Sequence, residues 1–111
     1  STNGMFKLID YIYDNFDVFR ILLDSSCDKF FRVFEHELID IELDYTLRFM
    51  EAVGCRSLDD GKVTPDFLHI VISCFFNGFF EPVRHGMSKD EAYRYIGMLS
   101  QYHRAGFGTF L

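Results

Sequence analysis

Apolar positions recur along this chain at three- and four-residue steps, the period that lines up side chains on one face of an α-helix. Met5, Ile9, Ile12 and Tyr13 predict a short helix that ends near Asp14. Asn15 and Asp17 offer a stop and a cap. Val18, Phe19, Ile21, Leu22 and Leu23 then predict a nearly all-apolar helical stretch, central to the fold, that ends at Ser25–Ser26. From Cys27 to about Val53 runs the longest pattern, with Phe30, Phe31, Phe34, Leu38, Ile41, Tyr45, Phe49 and Ala52 on the apolar face. Asp28, Arg32, Glu35, Glu42 and Arg48 mark its solvated side. Such a helix is about 40 Å long at 1.5 Å per residue. Gly54 fits a C-terminal stop, and the stretch from Gly54 to Lys62, with Asp59-Asp60-Gly61, reads as a mobile loop.

Two further helices complete a predicted five-helix bundle. Thr64-Pro65 opens the first, with Thr as the cap and Pro where its missing N–H is harmless. That helix runs to His85-Gly86 with a kink at Pro82. Ser88-Lys89-Asp90-Glu91 is a capping box for the last helix, which continues toward Gly108. Ser1 to Gly4 precede the first periodic residue and are set apart as a tag or frayed linker.

At 100° per residue, helix 65–86 is apolar over most of its circumference, with only Asp66, His69, Ser73, Asn77 and Arg84 as a polar strip. Helix 88–108 is similar, and Gly78, Gly97, Ser100 and Gly106 permit close approach. The first three helices can cover one side of this pair but hardly both, so a second copy is expected to cover the rest through a four-helix interface. That interface is placed at Val71, Phe75, Gly78 and Phe79 with Tyr93, Ile96, Ser100 and Phe107.

Composition narrows the picture further. The chain has 111 residues, 49% of them hydrophobic, with fourteen Phe and no Trp, enough for one domain with a ring-rich core. A net charge of −6 argues against nucleic-acid binding by this segment itself, which would need Lys and Arg against phosphates. Three Cys without CxxC spacing read as reduced thiols in a cytoplasmic protein, and no membrane span or signal peptide is visible.

Catalytic and cofactor chemistry finds no support in the motifs. An inward-facing metal site in a bundle calls for E-x-x-H pairs, yet Val33, Asp66, Pro82 and Ser100 stand three residues before the four His. Glu81 and His85 read as a surface pair, and His36, between Glu35 and Glu37, as part of a solvated face. Ser73 and Cys74 near His69 lack a nucleophile motif, and no phosphate-cradling glycine loop occurs. Neither a metal nor another cofactor is expected. A small helical-bundle enzyme or metal-binding protein is the alternative, resting on four His and many carboxylates.

Four strings carry a resemblance: YIYDNFDVFRILL at 11–23, FFNGFFEP at 75–82, HGMSKDEA at 85–92 and YHRAGF at 102–107. Together with the order of elements, they resemble the C-terminal regulatory domain of the TetR family of bacterial transcriptional repressors. Relatives commonly end the last string in Gly-Trp, whereas Gly106 here precedes Phe107. The resemblance implies an effector-binding and dimerisation half that acts on DNA only through an N-terminal helix-turn-helix not visible in this chain. It implies dimerisation by the last two helices and a cavity between helix 27–53, the helix before it and helix 65–86. Phe19, Phe30, Phe34, Phe49, His69, Ser73 and Asn77 are the expected ligand contacts, suited to a flat, apolar or cationic small molecule.

Overall fold

The computed structural model describes residues 2–24 and 28–111. Among them all regular structure is helical: α1 (Thr2–Asp14), α2 (Phe16–Leu22), α3 (Asp28–Ala52), α4 (Pro65–Phe79), the single turn α5 (Glu81–Arg84) and α6 (Lys89–Phe107). A 3₁₀ turn at Gly108–Phe110 closes the chain. The expected helix end at Ser25–Ser26 and helix start at Cys27 lie outside the described residues.

Local chemistry sets the boundaries in the second half of the chain, whereas Asn15 before α2 makes no side-chain cap bond. Thr64 Oγ1 accepts from the Phe67 amide at 3.1 Å, and Pro65 occupies the first turn of α4. The Ser88 box closes in both directions, Glu91 N–H to Ser88 Oγ and Ser88 N–H to Glu91 Oε1, each at 3.1 Å. Pro82 does more than kink: it has no N–H to offer the Gly78 carbonyl, and the helix breaks at Phe80 and restarts as α5. Gly86, with φ +66°, ends that turn, and Met87 donates back to the Pro82 carbonyl at 2.8 Å.

Packing revises three expectations. In α2 only Phe19 is buried, while Val18 and Ile21 are exposed, so this helix is peripheral rather than central. Along α3 the buried positions are Phe31, Ile39 and Met50, whereas Phe30, Ile41, Tyr45 and Phe49 face solvent. This helix carries two apolar stripes, and α4 takes the one that runs through Leu43 and Leu47. The loop after α3 is tied down by Asp60 N–H to Arg56 O at 2.8 Å, Lys62 N–H to Ser57 O at 2.9 Å and the buried side chain of Val63. Cys55 and Ser57 both donate to the Phe110 carbonyl, so the end of the chain is fastened to this loop.

The core falls into two parts. The larger gathers Ile9, Ile12, Phe19, Phe31, Ile72, Phe76, Phe80, Val83 and Ile96, so all six helices contribute to it. The smaller gathers Met50, Val63 and Leu68 with Phe107 and Phe110 against them. α1 lies on α6, where Phe6 stacks on Tyr93 at 4.9 Å and the Tyr93 hydroxyl donates to Asp10. The Cα extents are 45 × 28 × 18 Å and the radius of gyration is 15.0 Å, against about 13 Å for a compact chain of this length. A slab this thin leaves outer helix faces uncovered.

Two glycines separate backbone strain from simple propensity. Gly86→Ala puts a side chain at φ +66° with its Cβ 2.7 Å from Arg20 Nη1 and is expected to cost about 1–2 kcal/mol in chemical denaturation. Gly97→Ala, within α6 and with nothing within 4 Å of the new Cβ, is expected to gain up to about 1 kcal/mol. Equal effects at the two sites would contradict the strain assigned to Gly86.

Candidate functional site

Helix α4 packs against α6 with Phe75 beside His103, ring centroids 5.1 Å apart, and with Gly78 facing Leu99. A Cβ on Gly78 would lie 3.2 Å from Leu99 Cδ2, so the two helices approach closely there. With these positions turned inward, the 100° helical step sends Phe67, Ile70 and Cys74 of α4 outward on the side of α6. The same step sends Tyr95, Met98 and Tyr102 of α6 outward on the side of α4. Exposures are 43% for Phe67, 57% for Ile70, 42% for Tyr95, 51% for Met98 and 81% for Tyr102. From Phe67 to Phe79 and from Tyr95 to His103 there is no Asp, Glu, Lys or Arg.

The result is one uncharged apolar face across two helices of a chain that carries −6 overall. Five large side chains at those exposures offer on the order of 500 Å², the upper end of the largest patch on a typical monomer and more than half of what one partner contributes to a standard interface. Such a face can bury itself against a surface of like character without placing a charge in the contact.

On the other side of the α4–α6 seam, α3, α4 and α6 leave an open cleft along the junction of the two parts of the core, which Leu43 bridges. It comprises two adjoining cavities of about 300 and 410 Å³ that share Glu42, Ile72, His103 and Arg104. The larger is walled by Tyr45, Phe49, Leu68, Val71 and Phe107. The smaller reaches Met5, Phe75 and Ser100. A mostly apolar space with one carboxylate, one guanidinium and one imidazole is the usual make-up of a small-molecule site.

Burial holds the His103 imidazole below its ordinary value, against the opposing pull of the Glu42 carboxylate. The ring is thereby favoured in its neutral form, able to donate from one nitrogen and accept at the other. Glu35, farther along α3, is raised by burial, partly offset by the nearby Arg84 guanidinium. Its Oε2 is shielded from solvent with no hydrogen-bond partner among the described residues. Glu35 and Glu42 were both expected on a solvated face. The structure instead half-buries them because α4 takes up the second apolar stripe of α3.

The seven expected ligand residues do not converge. Phe19, Phe30 and Phe34 line a separate pocket of about 230 Å³ among α1, α2 and α3, and Phe49 alone reaches the cleft. His69 turns toward His36, their ring centroids 5.9 Å apart. Ser73 is half-buried and Asn77 is exposed, its backbone carbonyl accepting from Arg84 at 3.1 Å. Glu42, His103 and Arg104 escaped the sequence reading because no periodic pattern marks a polar group at a gap between cores.

Several expected interface residues are already engaged within one copy. Phe75, Phe79, Ile96 and Ser100 are buried, Tyr93 is stacked on Phe6, and Phe107 packs against the smaller core. Val71 and Gly78 are the two that border the outer face, both half-buried. The richest apolar arc of each helix goes to its own core, and the neighbouring arc is left outside. No helix among the described residues is long and apolar enough to cross a membrane. No family model, curated protein or solved structure matches the chain.

Unfolding returns the imidazole of His103 to the ordinary range near 6.5, above its lowered native value. The unfolded chain therefore takes up the proton first, and stability is lost as pH falls below about 6.5 toward the native value. Melting curves over that range should show a steeper loss for the wild type than for His103→Gln, and parallel curves would exclude this role for the imidazole. Glu35 has the opposite sense. Its raised native value makes the ionised carboxylate a cost at neutral pH that disappears on acidification. Glu35→Gln should raise the melting temperature at pH 7 by an amount that shrinks toward about pH 4.

Proposed function

We propose that this chain is the effector-sensing and dimerisation domain of a TetR-like transcriptional regulator. It acts on DNA through a helix-turn-helix outside this sequence. The uncharged face of α4 and α6 carries the reading. Two copies related by a two-fold axis bring Ile70 and Cys74 of one against Tyr95, Met98 and Tyr102 of the other, completing a four-helix interface. The effector occupies the cleft between α3, α4 and α6. It is a flat, largely apolar molecule whose positive or hydrogen-bonding group meets Glu42 and His103.

The cleft and the face share helices α4 and α6, which gives a route from ligand to dimer geometry. A molecule wedged between Leu68, Val71 and Phe107 changes the spacing of helices whose other faces form the interface. The spacing of the two DNA-reading heads follows that of the subunits. The effect on DNA affinity equals the difference in effector affinity between the two arrangements.

Sedimentation or light scattering tests the interface, with a mass twice 13.1 kDa expected at micromolar concentration. The pair Ile70→Lys and Met98→Lys should weaken association by at least about 100-fold, since each buries a charge at the contact, with helicity kept because both sites are exposed. Ile41→Lys, at a position more exposed than either but on α3, should leave the dimer intact. A monomeric wild type would sink this reading. A thermal-shift screen of aromatic and cationic small molecules tests the cleft, because a ligand of the native state raises the melting point. Stabilisation that Phe49→Ala and Glu42→Gln fail to reduce would place the effector elsewhere.

A further inference from the structure

Away from the cleft and the apolar face, three potential ligating side chains meet across the α3–α4 contact. His36 and Asp40 stand one helical turn apart on α3, with His36 Nδ1 3.2 Å from Asp40 Oδ2. His69 of α4 brings its ring to 5.9 Å from that of His36, centroid to centroid, at 53°. One ligating atom from each residue lies within 4.8 Å of the others. Among the described residues neither ring nitrogen of His69 has a hydrogen-bond partner, so the imidazole is free to bind.

We propose that His36, Asp40 and His69 form a binding site for a divalent first-row transition ion, zinc by preference. Two imidazoles and one carboxylate suit zinc, nickel, cobalt or copper, whereas calcium and magnesium require a shell of oxygens. Bonds of about 2.0–2.2 Å put tetrahedral ligands roughly 3.5 Å apart. The present spread of up to 4.8 Å must contract by little more than an ångström. His36 and Asp40, 64% and 59% exposed, can make that adjustment by side-chain rotation alone. The fourth position faces solvent and takes water or a small anion. The negative charge of the chain also raises the local concentration of cations.

The consequence is mechanical. A bound ion links α3 to α4, the helix pair that walls the cleft on one side, and stabilises the folded chain in proportion to occupancy. The site goes beyond the effector reading and stands whether or not the cleft holds a molecule. Sequence spacing concealed it, because the three residues belong to helices joined by a long loop, and only His36 and Asp40 are one turn apart.

Titration of zinc into untagged, chelator-treated protein, followed by calorimetry and thermal shift, tests the proposal. One ion per chain is expected at micromolar affinity, and cobalt should give the visible absorption of a four-coordinate site. His36→Ala and His69→Ala should each weaken binding on the order of 100-fold without altering helicity or the metal-free melting temperature. His85→Gln, which removes the ring of a second i,i+4 histidine–carboxylate pair, should leave affinity unchanged. The proposal is overturned if no saturable one-to-one binding appears below about 100 µM. It is equally overturned if binding survives in both His36 and His69 variants, or depends as strongly on His85. None of these readouts involves the dimer or the effector.

Discussion

The close packing of α4 on α6 is the contact on which the other features rest. Gly78 allows the Leu99 side chain to seat on the α4 backbone, Phe75 packs on the His103 ring, and Phe79, Ile96 and Ser100 of the same two helices are buried. With those arcs turned inward, helical geometry leaves no choice about what faces out. Phe67, Ile70 and Cys74 must lie beside Tyr95, Met98 and Tyr102 on the far side. A Cβ at Gly78 would sit 3.2 Å from Leu99 Cδ2, and the Leu99 side chain would have to give by a few tenths of an ångström to admit it. The interaction that stabilises the monomer therefore also sets the geometry of the proposed contact between copies.

The same seam explains the cleft. Toward the N-terminal end of α4 the helix is held by Met50 and Val63, and toward its C-terminal end by Phe31 and the aromatic cluster around Phe80. Between these regions Glu42 and His103 stand where a continuous core would need apolar side chains. Polar groups that keep some access to water relieve the desolvation they would suffer in a closed interior, so the gap stays open. His103 nonetheless remains buried enough to favour its neutral form.

Charge is distributed in keeping with this arrangement. Acidic groups are dense along α3, where Glu37, Asp40 and Asp44 face solvent, while α4 from Phe67 to Phe79 and α6 from Tyr95 to His103 carry none. Two copies of a chain with net charge −6 repel at a distance. An interface between them is favoured where the charges are farthest away. The ion site proposed at His36, Asp40 and His69 lies on the acidic side of the α3–α4 pair, so cation capture and self-association would use different surfaces.

Helical class, the helix order, the cap at Thr64 and the capping box at Ser88 were legible in the sequence, because each depends on residues within four positions of one another. So was a surplus of apolar surface on the last two helices, where Phe67, Ile70, Tyr95, Met98 and Tyr102 stay exposed. Which arc remained uncovered was not legible. Both candidate arcs of α4 and α6 are apolar, and neighbours brought in by tertiary packing chose between them; of the expected set, Phe75, Phe79, Ile96 and Ser100 went to the core, while Val71 and Gly78 border the outer face. The same ambiguity displaced the buried stripe of α3 from Tyr45 and Phe49 to Leu43, Leu47 and Met50. The cleft groups and the His-Asp-His cluster were hidden for a related reason. Periodicity reports which residues share a face of one helix, and only the folded chain decides which faces of different helices meet.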